Sequence, residues 1–219
     1  MQKNKVYQVV SYNLQKILNE KDPFKIDQIV SYLDLLIKWN KKINLIGHKR
    51  WDEIFFFLII DSFYLFSLLK ELKFLSPTIL DIGSGAGIPA IPLKILWPEA
   101  KFILVESKFK KCVFIQEIVK SLKLKNIKIL NKRIEDVKGY KADIVMARAF
   151  KNCLSFLETA INYLNLEGYA VYFSNTPYSN DVKNNNFLFF KEKKYQVFDK
   201  TRYLWLFKSK CYATTNIIA

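Results

Sequence analysis

Ten residues constrain this chain more than any others: Leu80-Asp81-Ile82-Gly83-Ser84-Gly85-Ala86-Gly87-Ile88-Pro89. The apolar run Thr78 to Leu80 before them reads as a strand, and Ala90-Ile91-Pro92-Leu93-Lys94-Ile95-Leu96 after them reads as a helix opening. Strand, glycine turn and helix together make a nucleotide cradle. Glycine lets the backbone turn sharply and approach a ligand closely because no Cβ intrudes. The helix start then offers unpaired N–H groups. A dinucleotide site needs G-x-G-x-x-G to seat a pyrophosphate. Here Ile88 occupies the slot of that third glycine, and the glycines fall instead at Gly83, Gly85 and Gly87.

Asp81 stands two residues before the first glycine and completes D-x-G-x-G-x-G. This pattern resembles motif I of the class I S-adenosylmethionine methyltransferases. That ligand has no phosphate, so the resemblance implies that the glycines make room for its amino-acid portion. The next apolar strand, Lys101 to Val105, ends in Glu106, 23 residues past Gly83. A carboxylate there can accept both hydroxyls of a ribose. A lone acid at a strand end is ordinarily a solvated one, but coupled to the glycine turn the ribose role is favoured. NAD-type sites use the same acid, so Glu106 points to adenosine and the glycine spacing chooses the cofactor.

A chain of 219 residues, 51% of them hydrophobic, can bury one core with a small helical appendage. Cys112, Cys153 and Cys211 are odd in number and widely spaced, without C-x-x-C. They read as small core residues in a reducing cytoplasm. His48 is the only histidine, which argues against a histidine-built zinc site or catalytic triad. The net charge of +15 ordinarily signals a polyanionic partner. Only Arg50, Arg133, Arg148 and Arg202 are arginines, however, so the excess is lysine, in a chain also rich in Asn, Ile, Phe and Tyr. Codon bias toward AT-rich triplets produces that composition too, and each retained arginine becomes a candidate for a specific role.

The apolar run Ile54 to Ile60, continued by Phe63-Tyr64-Leu65-Phe66, is interrupted by Asp61 and Ser62. It is short of the roughly 20 residues needed to span a bilayer, and a central aspartate costs about 3 kcal/mol in lipid. A buried helix is the better reading, and the segment Met1 to Tyr7 lacks a signal-peptide apolar region. The expectation is a cytoplasmic protein with no membrane partner.

Residues 5–20, 25–40 and 51–70 read as helices. In the second, Ile26, Ile29, Val30, Leu33, Leu36 and Ile37 make one apolar stripe. Strands over 78–82, 101–106, 127–130, 142–147 and 169–174 then alternate with helices over 89–96, 108–122 and 151–164. That alternation implies a parallel sheet covered on both faces. Tyr195 to Phe198 and Tyr203 to Phe207 read as a terminal hairpin, and Asn184 to Asn186 beside Lys191, Lys193 and Lys194 as a loop and a polar helix edge. The expected organisation is a helical section over 1–72 and a cofactor-binding unit over 73–219, together one compact body.

The segments Lys38 to Leu45, Asp61-Ser62, Leu80 to Pro92, Arg133-Ile134-Glu135 and Arg148-Ala149-Phe150 occur in the order and spacing of the RsmG (GidB) family. Residues 31–210 are thereby similar to bacterial methyltransferases that modify the 7-position of a guanine in 16S ribosomal RNA. The resemblance implies a Rossmann-like, mostly parallel seven-stranded sheet of the class I S-adenosylmethionine-dependent methyltransferase type, α/β, with an N-terminal helical section. It implies that Gly83, Ile88, Ile134, Glu135 and Arg148 contact S-adenosyl-L-methionine, in a cradle that also uses Gly85, Gly87 and Glu106. The implied partner is 16S rRNA, presented in the small ribosomal subunit or an assembly intermediate to a monomeric enzyme. Three positions depart from the family pattern: Leu58 replaces a histidine, Ile46 a threonine, and Phe173-Ser174-Asn175 lacks a lysine.

Several readings stay open at this stage. A small molecule or another RNA can be the acceptor; the chain can be a catalytically silent RNA-binding module or, less in keeping with its glycines, an NAD-binding oxidoreductase. Arg148 ends a very apolar strand and is the candidate catalytic residue, able to grip a carboxylate or phosphate bidentately; a structural ion pair with Asp61 is the alternative. Ile134 and Glu135 meet the adenine edge or form a surface turn. Lys108, Lys110 and Lys111 neutralise phosphates or form a solvated helix face. Asn175-Thr176-Pro177-Tyr178 resembles the motif of amino-group methyltransferases but follows the fifth strand rather than the fourth, so a turn explains it better. No metal ligands are expected.

Overall fold

The computed structural model describes residues 3–182 and 184–210. Cys211, read above as a core thiol, lies outside them, as do Met1 and Gln2. The front section is helical: α1 (Lys3–Leu18), α2 (Pro23–Ile43), α3 (Trp51–Ile54), a π-helical turn (Phe55–Ile59) and α4 (Ile60–Leu69). Local chemistry sets the bounds of α2. The Asp22 carboxylate accepts the Phe24 N–H at 2.9 Å, Pro23 occupies the first turn, and Asn44 closes the helix in the left-handed region at φ 48°.

The remainder is α/β, with strands β1 (Thr78–Ile82), β2 (Lys101–Val105), β3 (Ile127–Leu130), β4 (Ala142–Ala147), β5 (Leu164–Ser174), β6 (Phe187–Val197) and β7 (Lys200–Ser209). Helices α5 (Ala90–Leu96), α6 (Phe109–Ser121) and α7 (Cys153–Ala160) connect them. The seven-stranded sheet runs β3-β2-β1-β4-β5-β7-β6, with β1 to β5 parallel and β7 antiparallel to both neighbours. This is the class I methyltransferase fold.

Strand periodicity sorts the core. Ile79, Phe102, Leu104, Ile144 and Met146 join one apolar cluster with residues of α1, α2, α4, α5 and α6. Leu80, Ile103, Val105, Val145 and Ala147 point the other way, into a cluster with α7 and with Trp205 and Phe207 of β7. Both faces are therefore buried, as near-continuous apolar strands require. Cys112 and Cys153 are buried free thiols, and burial pushes Cys153 up to about 12. Among the described residues no helix is long and apolar enough to cross a membrane.

Three segments differ from the sequence expectation. The helix expected over 51–70 is interrupted by the π turn. The helix expected over 151–164 is only α7 and a 3₁₀ turn, and β5 begins at Leu164, paired with Ala142, rather than at 169. Glu167, at φ 58°, accompanies the register shift that hid this start from a period-two reading. Lys191, Lys193 and Lys194 lie in β6, not on a helix edge; pairing with β7 overrides the helical preference of a Lys- and Glu-rich run.

Candidate active site

The strand order reverses at β1, which has β2 on one side and β4 on the other. Ligands in open α/β sheets bind outside the carboxyl ends of strands at such a point. From β1 the chain enters the glycine turn, where the Gly83 and Ser84 N–H groups both donate to the Val105 carbonyl, at 2.8 and 3.0 Å. Gly87, at φ 78°, has no alternative: a Cβ there would sit 2.6 Å from Ile91 Cγ1. Gly83, at φ 72°, has open space where its Cβ would be, so the backbone is bare toward the crevice. From the other side Tyr32 of α2, fully buried, donates to the Ala86 carbonyl at 2.7 Å and ties the turn to the helical section.

Two hollows meet at Gly83. The smaller, about 210 Å³, is lined by Glu106, Ser107, Arg133, Ile134 and Glu135, so the structure gathers the expected adenosine-side residues. Glu106 is buried, with Oε2 accepting the Gly85 N–H and Oε1 the Lys108 N–H, each at 2.8 Å. These bonds fix the carboxylate and leave each oxygen a further lone pair. Ile134 and Glu135 open a 3₁₀ turn anchored by Tyr163, whose hydroxyl donates to the Ile134 carbonyl at 2.6 Å. Lys108 caps α6 and Lys110 is exposed, while Lys111 reaches within 3.9 Å of the position a Gly85 Cβ would take.

The larger hollow, about 560 Å³, is lined by Gly83, Gly85, Ile88, Asp61, Arg148 and Arg202, among others. Its charged wall is one knot of side chains. Asp61, 2% exposed, accepts from Arg202 Nη1 (2.7 and 2.9 Å) and Tyr195 Oη (2.9 Å), and pairs with Arg148 Nη2 at 3.0 Å. Both arginines also donate to the Phe57 carbonyl, at 2.7 and 2.9 Å, in the π turn. Such turns cluster where a helix serves a site. The Asp61 pairing raised for Arg148 is thus present, and Arg148 lines the cleft as well. Ala149, immediately after it, sits at φ 61° in the left-handed region that disfavours a side chain.

Sequence reasoning missed Arg202 and Tyr195. The scarcity of arginine was a signal for Arg202 as much as for Arg148, but nothing local ties either residue to Asp61. Another wall is the loop after α2. Asn40 accepts the Ile46 N–H and donates to the His48 carbonyl, each at 2.9 Å, so one buried amide shapes this loop. Ile46, Leu58 and the stretch Phe173-Ser174-Asn175, where the sequence departs from the family pattern, all line this hollow. Tyr178 does not: it stacks on Phe189 at 3.7 Å and donates its N–H to Glu192, as the turn reading requires.

Asp81 is a buried acid next to the glycine turn, 1% exposed at the end of β1, and its Oδ2 has no hydrogen-bond partner. Burial pushes its carboxyl up to about 7; Ser84 opposes the shift and Glu106 adds to it. An orphaned carboxylate oxygen beside an open glycine cradle is suited to a cationic ligand group. Because the folded value lies above the unfolded one, the folded chain holds an extra proton between about pH 4 and 7. Stability conferred by that proton is full below this window and is lost as pH rises through it. Asp81→Asn is therefore expected to abolish this fall. A melting-temperature difference between variant and wild type that stays constant from pH 4 to 7.5 would refute the assignment.

Comparison with known proteins gives the family and the fold. Residues 25–202 match the family described as GidB, rRNA small subunit methyltransferase G. A relative from Francisella tularensis subsp. tularensis (strain WY96-3418), named ribosomal RNA small subunit methyltransferase G, is 39% identical over 140 residues, 64% of this chain. The match spans about 65% of that relative's length. The protein of the same name from Helicobacter acinonychis (strain Sheeba) is 35% identical over 69% of this chain and 83% of its own. Among solved structures, a Klebsiella pneumoniae chain assigned as an O-methyltransferase superposes with a TM-score of 0.62 over 96% of this chain and 100% of its own, at 15% identity. TrmN from Thermus thermophilus gives 0.55 over 67% of this chain and 48% of its own, also at 15% identity. These two likenesses concern the fold.

Proposed function

This chain belongs to the GidB, rRNA small subunit methyltransferase G, family, and from that premise we propose that it transfers a methyl group from S-adenosylmethionine to the 7-position of a guanine in 16S ribosomal RNA. The observation that carries the reading is the pairing of hollows at the switch point. One holds Glu106, Ile134 and Glu135, the other Asp61 and Arg148, and Gly83, which opens the glycine turn, lines both.

The residues fit the cofactor. Glu106 would take the ribose hydroxyls, the Ile134-Glu135 turn the adenine edge, and the bare backbone at Gly83 and Gly85 the amino-acid portion. Asp81, ionised by a nearby ammonium, would hold the charge its burial otherwise resists. When bound, the cofactor supplies an electrophilic methyl group on a sulfonium.

The remaining work of the chain is positioning. The guanine ring nitrogen presents an in-plane lone pair and has no proton to lose, so alignment in a dry, preorganised site suffices without a general base. That agrees with a cleft whose only histidine, His48, lies at its edge in a loop. Leu45, Ile46 and Leu58 exclude water, and the Asp61 knot holds Arg148 in one place against the acceptor. The acceptor is presented in the small subunit or an assembly intermediate, in the cytoplasm, to a monomeric enzyme.

The test is nucleoside mass spectrometry of 16S rRNA from cells lacking the gene, with titration of the purified chain against S-adenosylmethionine and NADH. Loss of 7-methylguanosine and binding of the first ligand alone are expected. Unchanged 7-methylguanosine would remove the rRNA assignment even with the cofactor bound, leaving a small-molecule or other RNA acceptor.

Arg148→Ala should lower methylation at least about tenfold, equivalent to about 1.4 kcal/mol in the barrier. Its fold should survive, because Arg202 still neutralises Asp61. Arg148→Lys should recover only part, since a point charge does not reproduce a guanidinium that bridges Asp61 and the Phe57 carbonyl. Full activity in the alanine variant would reduce Arg148 to a structural partner of Asp61.

A further inference from the structure

Beside the larger cleft lies a group of aromatic rings that the proposed reaction leaves unused. The hairpin joining β6 to β7 turns on two residues, Phe198 and Asp199. Phe198 adopts φ 54°, a left-handed conformation that such turns ordinarily fill with Gly or Asn. A bulky aromatic there is unfavourable for the backbone. Phe198 is nonetheless 60% exposed. One part of it packs on Phe56 at 4.8 Å and on Phe57 at 5.5 Å. His48 stacks on Phe57 at 5.4 Å and 21°, and Lys200 Nζ stands 5.4 Å from the Phe57 ring centre. His48 and Arg202 carry this surface directly into the cleft.

We infer that Phe198 is a base-stacking residue, which receives an unpaired base of the RNA strand bearing the acceptor guanine while Lys200 meets a neighbouring phosphate. The inference rests on the proposed RNA substrate and adds a subsite to it. An exposed, rigidly backed ring offers a π-face to any unstacked base, and RNA recognition favours such single-stranded segments over duplex. Lys200 supplies the opposite charge 5.4 Å from the Phe57 ring on which Phe198 packs. Asp199 offsets part of that charge, so stacking carries more of the affinity here than phosphate attraction.

The probe is a ten-nucleotide single-stranded RNA containing one 2-aminopurine, titrated into the full chain with S-adenosylmethionine binding measured alongside. Wild type should bind the single strand and quench the fluorophore. Phe198→Ala should weaken RNA binding about tenfold, with unchanged cofactor affinity. Phe198→Leu keeps the packing on Phe56 without a π-face and should lose as much, whereas Phe198→Trp should retain binding. Lys200→Ala should flatten the slope of log affinity against log salt by about 0.7. Equal binding of the annealed duplex, wild-type affinity in both the alanine and leucine variants, or a wild-type dimer that Phe198→Ala dissociates would each overturn the subsite. A wild-type chain that binds cofactor but not the single strand would overturn the subsite, while the rRNA reading stands or falls separately with 7-methylguanosine in cells lacking the gene.

Discussion

Asp61→Ala is expected to lower the stability of this chain by about 3–5 kcal/mol, the usual cost of stripping one partner from a buried ion pair. Asp61 is 2% exposed and is the common acceptor for Arg148, Arg202 and Tyr195. Removal leaves two guanidinium groups facing each other across the Phe57 carbonyl and a buried tyrosine hydroxyl without an acceptor. The side chains of Arg148 and Arg202 remain 22% and 15% exposed, so some hydration is recovered and the lower half of the range applies. Domains of this size lose roughly 2–4 °C per kcal/mol, which puts the fall in melting temperature at about 10 °C. Asp61→Asn keeps one acceptor oxygen and should lose less. A melting temperature within two degrees of wild type for the alanine variant would mean that the arginines find other partners.

Gly85→Trp is expected to abolish S-adenosylmethionine binding, as proposed for this cradle, while the chain stays folded. Gly85 adopts φ 58°, and beyond its position the nearest neighbours are the Gly83 carbonyl at 3.8 Å and Lys111 Nζ at 3.9 Å, the far end of a flexible side chain. An indole can therefore displace the lysine and fill the cradle from within. The left-handed backbone costs a non-glycine residue about 1–2 kcal/mol, tolerable against a typical total of 5–15 kcal/mol. Calorimetry with S-adenosylmethionine should give no heat of binding, and circular dichroism should match wild type. Gly87→Ala is a poorer probe, since its added carbon collides with Ile91 and moves α5. Retained affinity in the Gly85 variant would place the ligand elsewhere.

The parts of this molecule legible in the sequence are those written in a local period. Alternating strands and helices announced the parallel sheet, because a strand buried on both faces is apolar throughout. The turn at Gly83 and Gly87 was legible because its residues sit at left-handed φ values that favour glycine. Glu106 followed from its fixed distance along the chain. The Asp61 knot had no such record. Its partners stand 87, 134 and 141 positions away, just past β4, in β6 and in β7, and charge pairing leaves no periodic trace. The π turn was hidden for a related reason, since Phe55 to Ile59 is apolar at every position and shows no phase to interrupt. The loop wall built by Asn40 was also invisible, because a single amide that satisfies two backbone groups looks like any other asparagine.

The insertion of β7 between β5 and β6 has a consequence for the order in which the chain is made. During synthesis the glycine turn, Glu106 and Arg148 all emerge before β7, and the five parallel strands can assemble as they appear. Arg202 arrives later, on a strand that must enter beside β5 and bring β6 with it. Until then Asp61 has Arg148 but neither Arg202 nor an anchored Tyr195. A nascent chain halted before residue 202 would carry the glycine turn and Glu106 with Asp61 not yet tied to Arg202. The Asp61 knot thus closes only when β7 docks beside β5.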